Sequence, residues 1–176
     1  MALVAASWLR RAPAFVLGAS VLVLGSALVS QYVFGNLPCA LCILQRWPYV
    51  ATILLSALAL AVGGGRGPAP GRIQAALLAL AGVVFLIGGS IAFYHVGVQQ
   101  RWWEGTAECT SAALDAAETV EQLAQLLEAA PLVRCDEVDW SLFGISLAGY
   151  NLMTSIVLAA ASLYAARHIA ASRRAA

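Results

Sequence analysis

Apolar and polar residues are sorted along this chain into long blocks rather than alternated at strand or surface-helix spacing. Residues 12–45, 47–65, 73–100 and 140–166 contain no Asp, Glu, Lys or Arg. A helix rises about 1.5 Å per residue, so about 20 apolar residues cross a hydrocarbon core about 30 Å thick. Each block therefore predicts a membrane-spanning helix, with the four spans at about 14–34, 47–63, 74–97 and 145–166.

One segment has a different pattern. Leu114, Ala117, Val120, Ala124, Leu127 and Ala130 recur at three- and four-residue spacing, while Asp115, Glu118, Glu121 and Glu128 fall elsewhere around the wheel. That predicts an amphipathic helix over 113–130, ended by Pro131 and lying on the membrane surface or against the helix ends. Gly63-Gly64-Gly65-Arg66-Gly67-Pro68-Ala69-Pro70-Gly71 marks a turn between the second and third spans. It lacks the Lys-Ser/Thr ending and the preceding strand of a phosphate-binding loop. The fold class is all-α: one polytopic membrane domain over 1–176, a four-helix bundle with outer loops at about 35–46 and 98–144.

Composition agrees with this reading. The chain is 61% hydrophobic and 11% charged, with a mean hydropathy of +0.82, where a soluble domain carries about 25% charge. Arg10-Arg11 before an apolar run suggests a secretory signal, but the run exceeds a signal core of about 7–15 residues and three more follow it. A true first span after a short arm over 1–13 is the expectation.

Charge sets the orientation. All ten basic residues are Arg; Arg10, Arg11, Arg66, Arg72, Arg167, Arg173 and Arg174 fall on one side of the predicted spans, and Arg46, Arg101 and Arg134 on the other. The positive-inside rule then places both termini and the 64–72 loop in the cytoplasm. All nine acids lie between Glu104 and Asp139, so the loop over 98–143 is formally −7 and excludes a nucleic-acid surface. Trp47, Trp102, Trp103 and Trp140 gather at the outer boundary, where amphipathic rings are favoured.

Cys39, Cys42, Cys109 and Cys135 all fall in, or at the edge of, the outer loops. An even count on the exported side suits an oxidising compartment. In Pro38-Cys39-Ala40-Leu41-Cys42-Ile43-Leu44-Gln45-Arg46, a helical turn puts Cys39, Cys42 and Arg46 on one face. Unpaired N–H groups at a helix start favour a thiolate, and Arg46 adds a permanent charge beside the second sulfur. Asn36 is the expected cap, with a bend near Gln45 to Trp47, because Pro48 clashes with a carbonyl inside a continuous helix.

Three chemistries compete for these cysteines. A zinc site is disfavoured because Cys109 and Cys135 are too far apart in sequence and no nearby His motif completes a ligand set, so no metal is expected. Purely structural disulfides would leave a non-enzymatic tetraspan scaffold, but a Cys-x-x-Cys bridge closes too small a loop to constrain much chain. Electron transfer explains both pairs: one is at the membrane surface beside Arg46, the other in an exported loop. A cysteine pair holds two electrons, so a lipid-soluble two-electron acceptor, a quinone, is the natural endpoint.

The order of these features resembles the DsbB family, the inner-membrane disulfide-bond-formation proteins. The resemblance covers essentially the whole chain. Pro38-Cys39-Ala-Leu-Cys42 is followed by Arg46; His95 comes near the end of the third span; Cys109 precedes Cys135-Asp-Glu-Val-Asp-Trp-Ser-Leu-Phe-Gly144. The system of DsbA, DsbB and quinone is what keeps a bacterial periplasm oxidising.

The resemblance implies a route. A reduced, DsbA-like thioredoxin-fold protein would attack Cys109, Cys135 would attack Cys39, and Cys42 would engage ubiquinone or menaquinone as the Cys39–Cys42 disulfide re-forms. Arg46 would stabilise charge on Cys42 and on the quinone oxygen, and His95 would hydrogen-bond or protonate the quinone. It also implies the bacterial inner membrane, with the cysteines periplasmic. A DsbB-like variant dedicated to one substrate would share every motif. Pro48 departs from the family pattern, and its bend bears on the position of Arg46.

Overall fold

The computed structural model describes residues 2–63, 68–106, 109, 119–122, 133–138 and 140–172. Among the described residues the delimited elements are, in order, α1 (Ala2–Tyr32), α2 (Ala40–Leu44), α3 (Arg46–Gly63), α4 (Pro68–Gln99), β1 (Ser141–Leu142), β2 (Ile145–Ser146) and α5 (Leu147–Ser172). Four stretches are long and apolar enough to cross a membrane: Arg11–Tyr32, Ala40–Gly63, Gly71–Gln99 and Leu147–Ser172. The fold is an all-α four-helix membrane bundle. Most of the amphipathic segment expected over 113–130 lies outside the described residues.

α1 starts earlier than expected, continuing through Pro13 into the arm predicted over 1–13. An interior proline removes one helical hydrogen bond. Here Pro13 is fully buried beside Ala12 and Val16, and the preceding stretch is rich in Ala and Leu, which favour helix. Pro48 falls in the first turn of α3, where its missing N–H would have had no helical acceptor in any case. The expected bend is a one-residue break at Gln45, which separates α2 from α3. The Gly/Pro turn is shorter than predicted because Pro68 and Pro70 enter the first turn of α4.

α4 packs along both α5 and α3, and α1 along α3, while α1 and α5 touch only slightly. Tyr49, Leu78, Phe85, Leu158 and small residues such as Ala59 and Ala165 fill the centre. Gly82 allows α4 close to α5: an added Cβ would lie 2.7 Å from Cγ of Leu163. Ser20 is fully buried, hydrogen-bonds Thr52 of α3 at 3.1 Å and donates to the carbonyl of Val16. In lipid, such pairs join helices without leaving a polar group unsatisfied. The outer surface is apolar, with Leu22, Leu54, Ile87 and Val157 exposed.

The hairpin before α5 was not legible in the sequence. β1 and β2 pair antiparallel, Leu142 opposite Ile145. The two connecting residues, Phe143 and Gly144, both have positive φ, 51° and 77°. That is the conformation two-residue hairpins need, yet an aromatic residue is not its usual marker. Ser146 then caps α5 through Gly149 N–H, and its hydroxyl donates to Oε1 of Gln99 at 2.7 Å, tying the hairpin to α4.

Candidate functional site

Pro38 holds the chain extended, and Cys39 follows as the N-cap of α2 at φ −72°, ψ 170°. Cys39, not Asn36, is the cap: its sulfur accepts from the Cys42 N–H at 3.3 Å, the place usually taken by Ser or Asp. The Asn36 side chain instead bonds Ser30 Oγ at 2.9 Å. The Cys39 and Cys42 sulfurs lie 2.8 Å apart as a free pair. Cys39 is buried and Cys42 half-buried.

The second pair is a disulfide, Cys109–Cys135. Cys109 N–H bonds the Thr106 carbonyl at 2.7 Å, and Cys135 N–H bonds the Cys109 carbonyl at 2.9 Å. Cys39, Leu41, Val98, Cys109 and Cys135 form one buried cluster, with Cys42, Tyr94 and Val133 against it. All four cysteines thus meet at one end of the bundle, although a long stretch of sequence separates the two pairs.

The end of α4 directs the loop back over this cluster. Arg101 has φ 58°, and Trp103 folds back so that Nε1 donates to the Tyr94 carbonyl at 3.0 Å and its ring stacks on Tyr94 with centroids 6.0 Å apart. Gly97 makes room for that indole: an added Cβ would lie 2.0 Å from Trp103 Cζ2. Beside Cys135, Arg134 grips Asp136 through Nε at 3.0 Å and Nη2 at 2.6 Å, which holds the Asp136 carboxyl below its ordinary range.

His95 enters this site from α4 and is 2% exposed, so it is a core residue and not an interface one. Its Nε2 lies 3.8 Å from Cys39 Sγ and its Nδ1 2.8 Å from Gln45 Nε2. Gln45 bonds Asn151 of α5, which accepts from Tyr49 of α3 at 2.5 Å. Gln45, Tyr49 and Asn151 were not singled out in the sequence. The available signal was their polarity within or beside apolar spans, where polar side chains are costly and mark function.

Arg46 begins α3 and turns to α1, donating from Nη1 to Oε1 of Gln31 at 2.6 Å. The structure therefore gathers Cys39, Cys42 and His95 into direct contact and brings the Cys109–Cys135 disulfide against them, while the hydrogen bond of Arg46 goes to Gln31. Hydrogen bonding by the Cys42 thiol lowers the Cys39 pKa; burial opposes this and His95 adds to it.

Cys39, Cys42 and His95 have their ligand atoms within 4.8 Å of one another, which raises the metal question again. Two sulfurs on tetrahedral zinc, at about 2.3 Å from the metal, stand about 3.8 Å apart. The observed 2.8 Å is well short of that spacing, so the pair as it stands is not arranged around a shared ion.

Four apolar helices, with a dithiol and a disulfide gathered in one cluster at one end, define a multi-pass membrane protein that carries two cysteine pairs. The family model described as disulfide bond formation protein DsbB matches residues 9–165. The chain belongs to the DsbB family. Disulfide bond formation protein B of Chromohalobacter salexigens is 34% identical over 78% of each chain. That of Herminiimonas arsenicoxydans is 33% identical over 84% of this chain and 89% of its own. The Polaromonas protein of the same name is 28% identical over 93% of this chain and 94% of its own. No solved structure matches. The protein is thus a multi-pass membrane protein of disulfide-bond formation.

Proposed function

We propose that the protein oxidises a DsbA-like periplasmic dithiol protein and passes the two electrons to a membrane quinone. The observation that carries this reading is the packing of both cysteine pairs into one buried cluster. Disulfide exchange needs the attacking sulfur to reach the other pair, and this packing leaves a short path between them.

The steps balance as thiol–disulfide exchange. A partner thiolate attacks Cys109 and breaks the Cys109–Cys135 bond; the partner's second thiol then displaces Cys109, leaving the partner oxidised and this pair reduced. Cys135 attacks Cys39 of the Cys39–Cys42 disulfide and releases Cys42. Cys109 displaces Cys39, so the outer disulfide re-forms and the inner pair holds both electrons. Those electrons, with two protons, convert a quinone to a quinol as the Cys39–Cys42 disulfide is restored.

The setting suits a lipid-soluble acceptor. Ile43, Leu44 and Trp47 are exposed beside the pair and present an apolar approach from the bilayer. Arg46 supplies a guanidinium for a developing quinone oxyanion, and His95 brings its Nε2 to 3.8 Å from Cys39 Sγ. The acceptor is ubiquinone or menaquinone. The seven-to-three Arg asymmetry supports cytoplasmic termini and a periplasmic cysteine end in a bacterial inner membrane.

Cysteine variants test the order. Cys42→Ser should abolish quinone reduction yet still exchange with the partner through Cys109; Cys109→Ser should block partner oxidation. Equal activity in both variants would overturn the route.

A further inference from the structure

The end of the bundle away from the cysteines is where α4 begins and α5 ends. On α4, Ala75 and Ala79 are one helical turn apart and share a face; on α5, Ala166 and Ala170 do the same. Small residues normally let neighbouring helices close together in lipid. Between these two helices they instead line an open groove of about 600 Å³, together with Ala76, Arg72 and Arg167. Ala75 and Ala166 are buried in its floor, while Arg72, Ala76 and Arg167 are exposed at its rim.

The charges at that rim have no counterpart around them. Among the described residues the ion pairs are those of Arg134 with Asp136 and Glu137, at the other end of the bundle. All nine acids of the chain fall between Glu104 and Asp139, in the segment that joins the far ends of α4 and α5. The rise along α4 from Arg72 to Gln99 alone is about 40 Å. Two permanent cations thus flank an apolar groove, with no carboxylate beside them among the described residues.

A ligand that satisfies both halves carries an anion and a hydrocarbon chain. Inorganic phosphate would meet the guanidiniums and leave the alanine methyls uncovered. A neutral lipid tail would cover the methyls and leave the guanidiniums unpaired. Guanidinium groups bind phosphate oxygens through paired N–H bonds, and basic pockets between membrane helices hold phospholipid head groups.

We propose that this groove binds one anionic phospholipid, with its phosphate between Arg72 and Arg167 and an acyl chain along the alanines of α4 and α5. On the orientation proposed above, the lipid belongs to the cytoplasmic leaflet. It bridges two helices that already pack along each other, so its binding stabilises the folded bundle by mass action. The site stands apart from the redox chemistry and does not depend on it.

The test uses the purified full chain in detergent, with bound lipid counted by native mass spectrometry and unfolding followed by thermal melts. Dioleoyl phosphatidylglycerol is the probe. Dioleoyl phosphatidylcholine has the same tails under a neutral head group, and glycerol 3-phosphate has the anion without the tails. The expected result is one retained phosphatidylglycerol per chain and a raised melting temperature, with neither effect from the other two. Arg72→Gln with Arg167→Gln should weaken retention on the order of thirtyfold, the scale of two Arg at a charged lipid surface. Ala79→Leu, which fills the groove and keeps both charges, should also displace the lipid. Arg10→Gln with Arg11→Gln removes equal charge from α1 and should leave retention unchanged.

Equal retention of phosphatidylcholine would overturn the proposal, as would unchanged retention in the Arg72 and Arg167 double variant or in Ala79→Leu. A matching thermal shift with glycerol 3-phosphate alone would make this a free-anion site, and an equal loss in the Arg10 and Arg11 double variant would make it general attraction; either result contradicts a lipid site. If the Arg72 and Arg167 double variant does not fold, competition among the three probes on the unsubstituted chain decides. Failure of quinone turnover would leave these lipid readouts untouched, so the two proposals fail separately.

Discussion

Arg46 reaches across to Gln31, giving a 2.6 Å hydrogen bond from Nη1 of α3 to Oε1 of α1. The guanidinium is thereby held between two helices at the dithiol end of the bundle. Its role in the proposed reaction is to meet charge on Cys42 and on the quinone oxygen, and Gln31 fixes where it waits.

Removing the guanidinium should therefore affect the acceptor half-reaction. Arg46→Ala is expected to slow quinone reduction on the order of a hundredfold, the scale of one preorganised donor to a developing oxyanion. Exchange between the partner and the Cys109–Cys135 disulfide should be unchanged. Gln31→Ala should give a milder loss in the same half-reaction. Rapid-mixing measurements of the two half-reactions, monitored separately, check this.

The reduced pair should titrate unusually. Hydrogen bonding from Cys42 lowers the Cys39 pKa, so one thiolate per reduced pair should persist below the ordinary thiol range of about 8.5, readable by ultraviolet thiolate absorbance. The sign for stability follows from proton binding. Between the folded and unfolded values the unfolded chain binds more protons, so the reduced protein gains stability as pH rises toward about 8.5. It loses that stability as pH falls through the folded value. The oxidised protein, with no thiol at Cys39, should lack this slope in thermal melts.

Gly82 tests the packing that holds the site. Its added Cβ would meet Leu163 Cγ at 2.7 Å and Cδ2 at 2.8 Å. Gly82→Ala should destabilise the bundle by about 1–3 kcal/mol, the usual cost of overpacking. Gly18→Ala in α1, where nothing lies within 4 Å, should be neutral or stabilising, because Ala favours helix over Gly. Denaturation of both variants in the same detergent provides the comparison.

The spans were legible because the charged residues that interrupt them, such as Arg46 and Arg72, fall at helix ends. Cys39 and Cys42 were legible from spacing, and the bend beside them from Pro48. The partners of His95 were not, because Gln45 and Asn151 meet only through packing of α2 and α5, and a local pattern has no term for such an encounter. The hydrogen bond of Arg46 to Gln31 was hidden for a related reason. The break at Gln45 starts a new helix with Arg46 at its first residue, from which the guanidinium bonds Gln31 while its charge still acts on Cys42. Phe143 hid the hairpin, since an aromatic residue at positive φ carries no turn signature.

The most direct test of the central claim is quinone consumption by the purified protein, both disulfides confirmed, mixed with a reduced DsbA-like thioredoxin-fold protein. The account predicts one quinone reduced for each partner dithiol oxidised, and none with Cys42→Ser. Partner and quinone left unchanged by the intact protein would contradict it.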